Sequence, residues 1–123
     1  MPILDVEIVL RQGEVLPGRL ANAIAQAAGR SMGTAPGRTW VKLRGLAVER
    51  YAEDGEGRPE GVFPVFVRVL KAERPAGEAL RAEVEALTGA IAAASGRPPE
   101  NVHVLYEESA KGRLAFGGEV VDG

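Results

Sequence analysis

The chain has 123 residues, 46% of them hydrophobic and 26% charged, with a formal net charge of −2, the size and balance of one soluble globular domain. No basic stripe is present, which disfavours nucleic acid as a partner. The absence of cysteine removes disulfide and thiolate chemistry, and a single histidine, His103, argues against a zinc site. No apolar run approaches the roughly 18 residues of a membrane helix. The N-terminus has no basic segment, and Asp5 and Glu7 interrupt its apolar run, so neither a membrane nor a signal peptide is expected and the expected location is cytoplasmic.

In chain order, "ILDVEIVL" (residues 3–10) alternates, with Leu4, Val6, Ile8 and Leu10 on one face and Ile3, Asp5, Glu7 and Val9 on the other. This period of two predicts a strand. Residues 16–32 place Leu16, Leu20, Ala23, Ile24, Ala27 and Ala28 at helical spacing, with Pro17 suited to a first turn. "GTAPG" breaks the pattern, and "TWVKLRGLAVERY" predicts a second strand with an extension. "AEDGEGRPEG" is a polar loop. The cycle then repeats. "VFPVFVRVLKA" predicts a strand with Val65, Val67 and Val69 on one face, and residues 76–95 a helix with Leu80, Val84, Leu87 and Ile91 as its stripe. "GRPPE" is a turn, "NVHVLYEE" a fourth strand, and "SAKGRLAFGGEVV" a glycine-punctuated tail with room for a short hairpin.

The two halves repeat with an offset of 61 residues: "VEIV" (6–9) matches "VRVL" (67–70), and "VKL" (41–43) matches "VHV" (102–104). The expected architecture is an α/β (α+β) sandwich, a duplicated βαβ unit forming one domain from residues 1–55 and 62–123. Its four-stranded sheet carries both helices on one face, with right-handed crossovers. The other face mixes Ile3, Val9, Phe66 and Leu70 with Asp5, Glu7 and Arg68. It is too apolar for water and too charged for a dry core, so closed assembly is expected.

"ENVHVLYEESAKGRLAFGGEVV" resembles the end of 4-oxalocrotonate tautomerase, most specifically in "AKGRLAFGG" (residues 110–118), where an Ala-Lys-Gly turn leads to a Gly-Gly turn. The second half, from about residue 62, is similar to one complete tautomerase unit. The first half is similar to a diverged copy that carries the family's hallmark Pro2. The resemblance implies a fused member of the tautomerase superfamily, with the tautomerase/MIF-like fold and a homotrimer with inward-facing sheets. It implies no cofactor and no metal. The substrate class it implies is a small anionic enol- or keto-acid of the 2-hydroxydienoate type.

What it implies for the chemistry begins at Pro2. With Met1 removed, Pro2 has a secondary amine that serves as general base or acid; with Met1 retained, its nitrogen is a non-basic amide. A free α-amino group titrates near 7.7–8 in reference peptides, and burial and nearby cations favour its neutral form. Pro64, near the matching position of the second half, is internal, so one catalytic proline per chain is expected. The family's cations at the end of the second unit's first strand correspond to Lys71 and Arg74 in "LKAERP". Arg74 would grip a carboxylate through its planar fork and Lys71 would act as a point charge; the plain alternative is that both are solvated strand-end residues. The second-strand arginine of short family members corresponds to Lys42 and to His103, so that arginine is absent from both copies. Arg11 is a candidate for the pocket mouth, and Leu114 or Phe116 for an apolar wall. Trp40, Tyr51 and Tyr106 are further wall candidates without a position. The leading expectation is a tautomerase (isomerase). The same resemblance leaves open hydration, dehalogenation or decarboxylation, or a non-catalytic trimeric scaffold. Apart from the resemblance, a ferredoxin-like sheet binding a small regulator remains open.

Overall fold

A computed structural model describes residues 2–122. Its elements in chain order are β1 (Ile3–Val9), α1 (Leu20–Met32), β2 (Trp40–Leu46), β3 (Val65–Leu70), α2 (Gly77–Ser95), β4 (Val102–Tyr106), β5 (Ala115–Phe116) and β6 (Glu119–Val120). Single 3-10 turns follow β2 at Val48–Arg50 and precede β4 at Pro99–Asn101. The first four strands form one sheet in the order β2-β1-β3-β4, and β5-β6 is a separate hairpin.

The alternation in β1 and β3 does what a half-buried strand requires. Leu4, Val6 and Ile8 are fully buried, and so are Val65, Val67 and Val69 within 1%. These six face one another across the antiparallel centre of the sheet, as Leu4–Val69, Val6–Val67 and Ile8–Val65. The residues that head the sequence repeat, Val6 and Val67, are therefore a direct cross-strand pair. The outer pairings are parallel, and their registers agree: Ile3 faces Trp40 and Val65 faces Val102, 37 residues downstream in both units. The helices supply the opposite wall with Leu20, Ile24 and Ala28 from α1 and Leu87, Ile91 and Ala92 from α2. Each fully buried Leu, Ile or Val contributes about 1.5–3 kcal/mol relative to exposure.

The limits of the elements differ from the sequence pattern where backbone chemistry intervenes. The first helix starts at Leu20, four residues later than the periodicity implies. Pro17 and Gly18 form a turn closed by the Leu20 N–H donating to the Pro17 carbonyl at 3.1 Å, while Leu16 packs against the core from outside the helix. The second strand stops at Leu46, and its expected extension coils into the 3-10 turn. The third strand starts at Val65, because Pro64 has no N–H to give and enters the ladder only as an acceptor, from the Val9 N–H at 3.0 Å. Both helices end on a left-handed glycine, Gly33 and Gly96, the residue type that takes this conformation without a Cβ penalty.

No helix among the described residues is long and apolar enough to cross a membrane. On the face away from the helices, Asp5 is ion-paired with Lys42 at 3.2 Å and Arg44 at 3.7 Å, and Arg68 with Glu107 at 2.7 Å. Trp40, Phe66 and Leu105 remain exposed beside them.

Candidate active site at the start of the first strand

Pro2 leads into β1 with its side chain fully buried. Its carbonyl accepts from the Trp40 N–H at 3.0 Å, which extends the β1–β2 ladder by one step and fixes the ring against the sheet. Beside it lies a cavity of about 330 Å³ walled by Pro2, Ile3, Trp40, Phe116 and Val121, with Arg38 at its margin next to Gly37. Trp40 and Phe116 meet edge to face, with ring centroids 5.1 Å apart and planes at 76°, the geometry that aromatic quadrupoles favour.

Three stretches of chain build these walls. The first is β1 itself. The second is the turn Ala35-Pro36-Gly37-Arg38, closed by the Arg38 N–H donating to the Ala35 carbonyl at 3.1 Å. Proline followed by glycine at φ +81° is the signature of a type II turn, whose third residue needs a positive φ. The Trp40 indole N–H donates to the Gly37 carbonyl at 3.2 Å and holds the turn from the strand side. The third is the C-terminal hairpin. Gly117 and Gly118, at φ +57° and +93°, make the two-residue turn, and Phe116 pairs with Glu119 across it. The tail is tied back to the sheet by Ala110 and Lys111, whose N–H groups donate to the carbonyls of Lys71 and Ala72 at 2.9 and 3.1 Å.

Of the residues singled out from sequence, Pro2, Phe116 and Trp40 come together in this cavity. Leu114 does not line it; its carbonyl accepts from the Val121 N–H at 2.7 Å and helps hold the hairpin. Lys71 stands opposite Pro2 at the end of β3, but its ammonium donates to Glu83 at 2.7 Å, and the same carboxylate accepts the Tyr106 hydroxyl. Burial, then the hydrogen bond to Glu83 and its negative charge, push the Tyr106 phenol far above its ordinary value. Arg74 is exposed after β3, at the Pro2 end of the sheet, with its N–H donating to Ser109 Oγ at 2.9 Å; it does not line the cavity. Lys42 lies on the open face beside Asp5. His103 lies on the same face, its ring 5.5 Å from that of Phe66, with Tyr51 5.9 Å beyond. Arg11 follows the far end of β1, nine residues of chain and roughly 30 Å from Pro2, where it bonds Glu14 at 3.3 Å and the Gly96 carbonyl at 3.1 Å.

Arg38 was not foreseen. The signal for it was present, because Pro-Gly fixes where the residue after a type II turn points, but nothing in the sequence said that this turn would close over Pro2.

No family model matches the chain, and no curated protein sequence does. Solved structures do. A fused 4-OT, solved as a symmetric trimer, matches with a TM-score of 0.72 at 20% identity over 97% of this chain and 94% of that one. The macrophage migration inhibitory factor of Oncomelania hupensis matches with a TM-score of 0.72 at 15% identity, over 99% and 83% of the two chains. Malonate semialdehyde decarboxylase matches with a TM-score of 0.67 at 19% identity, over 94% and 90%. The chain has the fold of these proteins from end to end.

Proposed function

We propose that this chain is a tautomerase of small enol- or keto-acids, acting through the amine that Pro2 acquires when Met1 is removed. The observation that carries the reading is the position of Pro2: a proline buried at the head of a central strand and among the lining residues of a cavity of about 330 Å³. Met1 and its removal lie outside the described residues. The neutral amine takes the hydroxyl proton of the enol, the carbonyl forms as the C=C electrons move to carbon, and the ammonium returns a proton to that carbon. No electrons are exchanged with a cofactor and the amine is regenerated. The apolar walls of Ile3, Trp40, Phe116 and Val121 favour the neutral form of the amine by excluding water.

A homotrimer joined through the open sheet faces is part of the same proposal. The support is the exposure of Trp40, Phe66 and Leu105 among ion pairs on that face, together with the symmetric trimer reported for the fused 4-OT of the same fold. Arg74, exposed at the Pro2 end, is retained as an outlying contact for the polar part of the substrate. Lys71, Lys42, His103 and Arg11, the other candidates from sequence, lie off this cavity and have no part in the proposal. Hydration or decarboxylation on this fold is a second reading, favoured by the malonate semialdehyde decarboxylase match.

The test compares the processed protein with a form that keeps Met1, assayed on 2-hydroxymuconate and phenylenolpyruvate. The processed form is expected to turn over at least one of them, with a rate that rises with pH as the amine loses its proton. The capped form is expected to be inactive, because its proline nitrogen is an amide. Equal activity in both would place the base elsewhere.

A further inference from the structure

Three polar side chains on the helix side of Pro2 take no part in the proton transfer: Lys71, Glu83 and Tyr106. Ile3 pairs with Leu70 across the antiparallel centre of the sheet, and one step further along the same pair sets Pro2 against Lys71. Side chains alternate along a strand, so Pro2 and Lys71 share the helix side with Leu4 and Val69. Facing Cα atoms lie about 5 Å apart and a lysine stem spans roughly 6 Å, which keeps the Lys71 ammonium within roughly 12 Å of Pro2. That ammonium donates to one oxygen of Glu83 at 2.7 Å, and the other oxygen accepts the Tyr106 hydroxyl. The side chains of Lys71 and Glu83 are only 20% and 13% exposed, so salt and water screen the pair weakly. Tyr106, its phenol pushed upward by burial and by Glu83, stays a neutral donor. The cluster therefore carries one positive and one negative charge, and the negative one comes from α2 rather than from the sheet.

We propose that Glu83 is a positioning residue of the Pro2 site: by binding Lys71 it cancels the ammonium that faces Pro2, and the amine keeps its proton to a higher pH than an unpaired Lys71 would allow. This rests on the proton-transfer reading of Pro2 and adds to it the group that sets the strength of the base. An unpaired ammonium at this range would weaken the amine by roughly half a pH unit or more at an effective dielectric constant of about 40. A weaker base takes the enol proton less readily once it is free. The other charged groups at this end are Arg30 at the end of α1, Arg38 on the cavity lining, Arg74 after β3, Glu108 and Arg113 after β4 and Glu119 on the hairpin. The pairs Asp5–Lys42, Arg68–Glu107 and Glu73–Lys111 complete the set. All of these are common to the variants compared below and drop out of the differences.

The experiment uses the processed protein labelled with nitrogen-15 proline. Of its eight prolines only Pro2 then has an amine nitrogen, whose NMR shift follows its protonation independently of turnover. The titration is run at low ionic strength on the parent, on Glu83→Gln, on Lys71→Met, on the double variant, and on Tyr106→Phe, which removes a hydrogen bond but no charge. In Glu83→Gln the amine midpoint is expected to fall by about half a pH unit or more. In Lys71→Met, where Glu83 is left as a lone negative charge, it is expected to rise. The double variant and Tyr106→Phe are expected to titrate near the parent. The pH at which phenylenolpyruvate turnover rises should move in the same order. The inference is overturned if Glu83→Gln, folded by circular dichroism, titrates like the parent, or if it and Lys71→Met shift the midpoint in the same direction, as a general loosening of the site would do. Should Glu83→Gln fail to fold, the sign of the Lys71→Met shift decides the matter, and a fall or no change overturns the inference. Expected shifts in a protein that turns over no enol would instead remove the proton-transfer reading and leave the charge compensation standing.

Discussion

The 61-residue repeat sets Pro2 against Phe63, and the ends of the sheet where these two residues lie have gone opposite ways. At the Pro2 end the strand begins beside a cavity whose lining includes Arg38. At the Phe63 end cations cover the aromatic ring instead. Arg58 and Arg11 lie over the Phe63 ring at 4.5 and 5.7 Å. Arg97 is buried and saturated: it donates to both oxygens of Glu14 at 2.7 and 2.9 Å and to the carbonyls of Val9, Phe63 and Ser95. At the Phe63 end Arg11, Arg58 and Arg97 are all engaged with the fold, whereas at the Pro2 end Lys71 is ion-paired and Arg74 is exposed. A duplicated unit can hold one site and use the matching place to anchor the fold.

The contrast predicts that variants at the two ends separate stability from catalysis. The largest effect is expected for Arg97→Met, which takes two hydrogen bonds from Glu14 and the guanidinium donor from three carbonyls and should cost about 3–5 kcal/mol, read as a lower denaturation midpoint with unchanged KM. A change in KM without loss of stability would mean that the Phe63 end is a working site. Next is the acid limb. Hydrogen bonds from Arg97, outweighing the opposing effect of burial, and then the Arg11 N–H and the two positive charges hold Glu14 at about 2, against an ordinary 4.5. Its folded-state value lies below its unfolded one, so its contribution is complete above pH 4.5 and is lost as pH falls from there to about 2. Glu14→Gln should flatten the pH dependence of the unfolding free energy in that window; an unaltered acid profile would show that another group is responsible.

Phe116→Ala tests the Pro2 end. It removes one ring of the aromatic pair from a partly buried position, and should raise KM about tenfold, the equivalent of ~1.4 kcal/mol, with little change in melting temperature. Phe63→Leu should cost about 1–2 kcal/mol of stability, the order of two lost cation–π contacts, and leave turnover intact. The smallest effect is expected for Arg74→Ala. It lies off the cavity, so a KM rise of a few-fold is the most it should give, and an effect larger than that of Phe116→Ala would make it a principal substrate contact.

Much of the fold is legible in the sequence. The alternation of Leu4, Val6 and Ile8 and of Val65, Val67 and Val69 fixes which face of each strand is buried, because a strand exposes successive side chains to opposite sides. The repeat makes Val6 and Val67 equivalent positions; that they also pair across the sheet is a fact of the structure. The helix stripe of Leu87 and Ile91 and the glycine stops at Gly33 and Gly96 are equally local. So is the chemistry of Pro2, since a proline behind a removable methionine is a latent secondary amine whatever surrounds it.

What the tertiary structure decided is which cations stand free. Lys71 and Arg38 differ little as sequence; one faces Glu83 across the β3–α2 contact and the other faces a cavity. Arg97 and Arg11, unremarkable in a glycine- and proline-rich context, converge on Glu14 from 83 and three residues away. Local pattern follows from backbone geometry, which acts over a few residues. The state of a charge follows from whichever groups come within a few ångströms of it, and only the assembled sheet, with its helices and hairpin packed in place, brings them there.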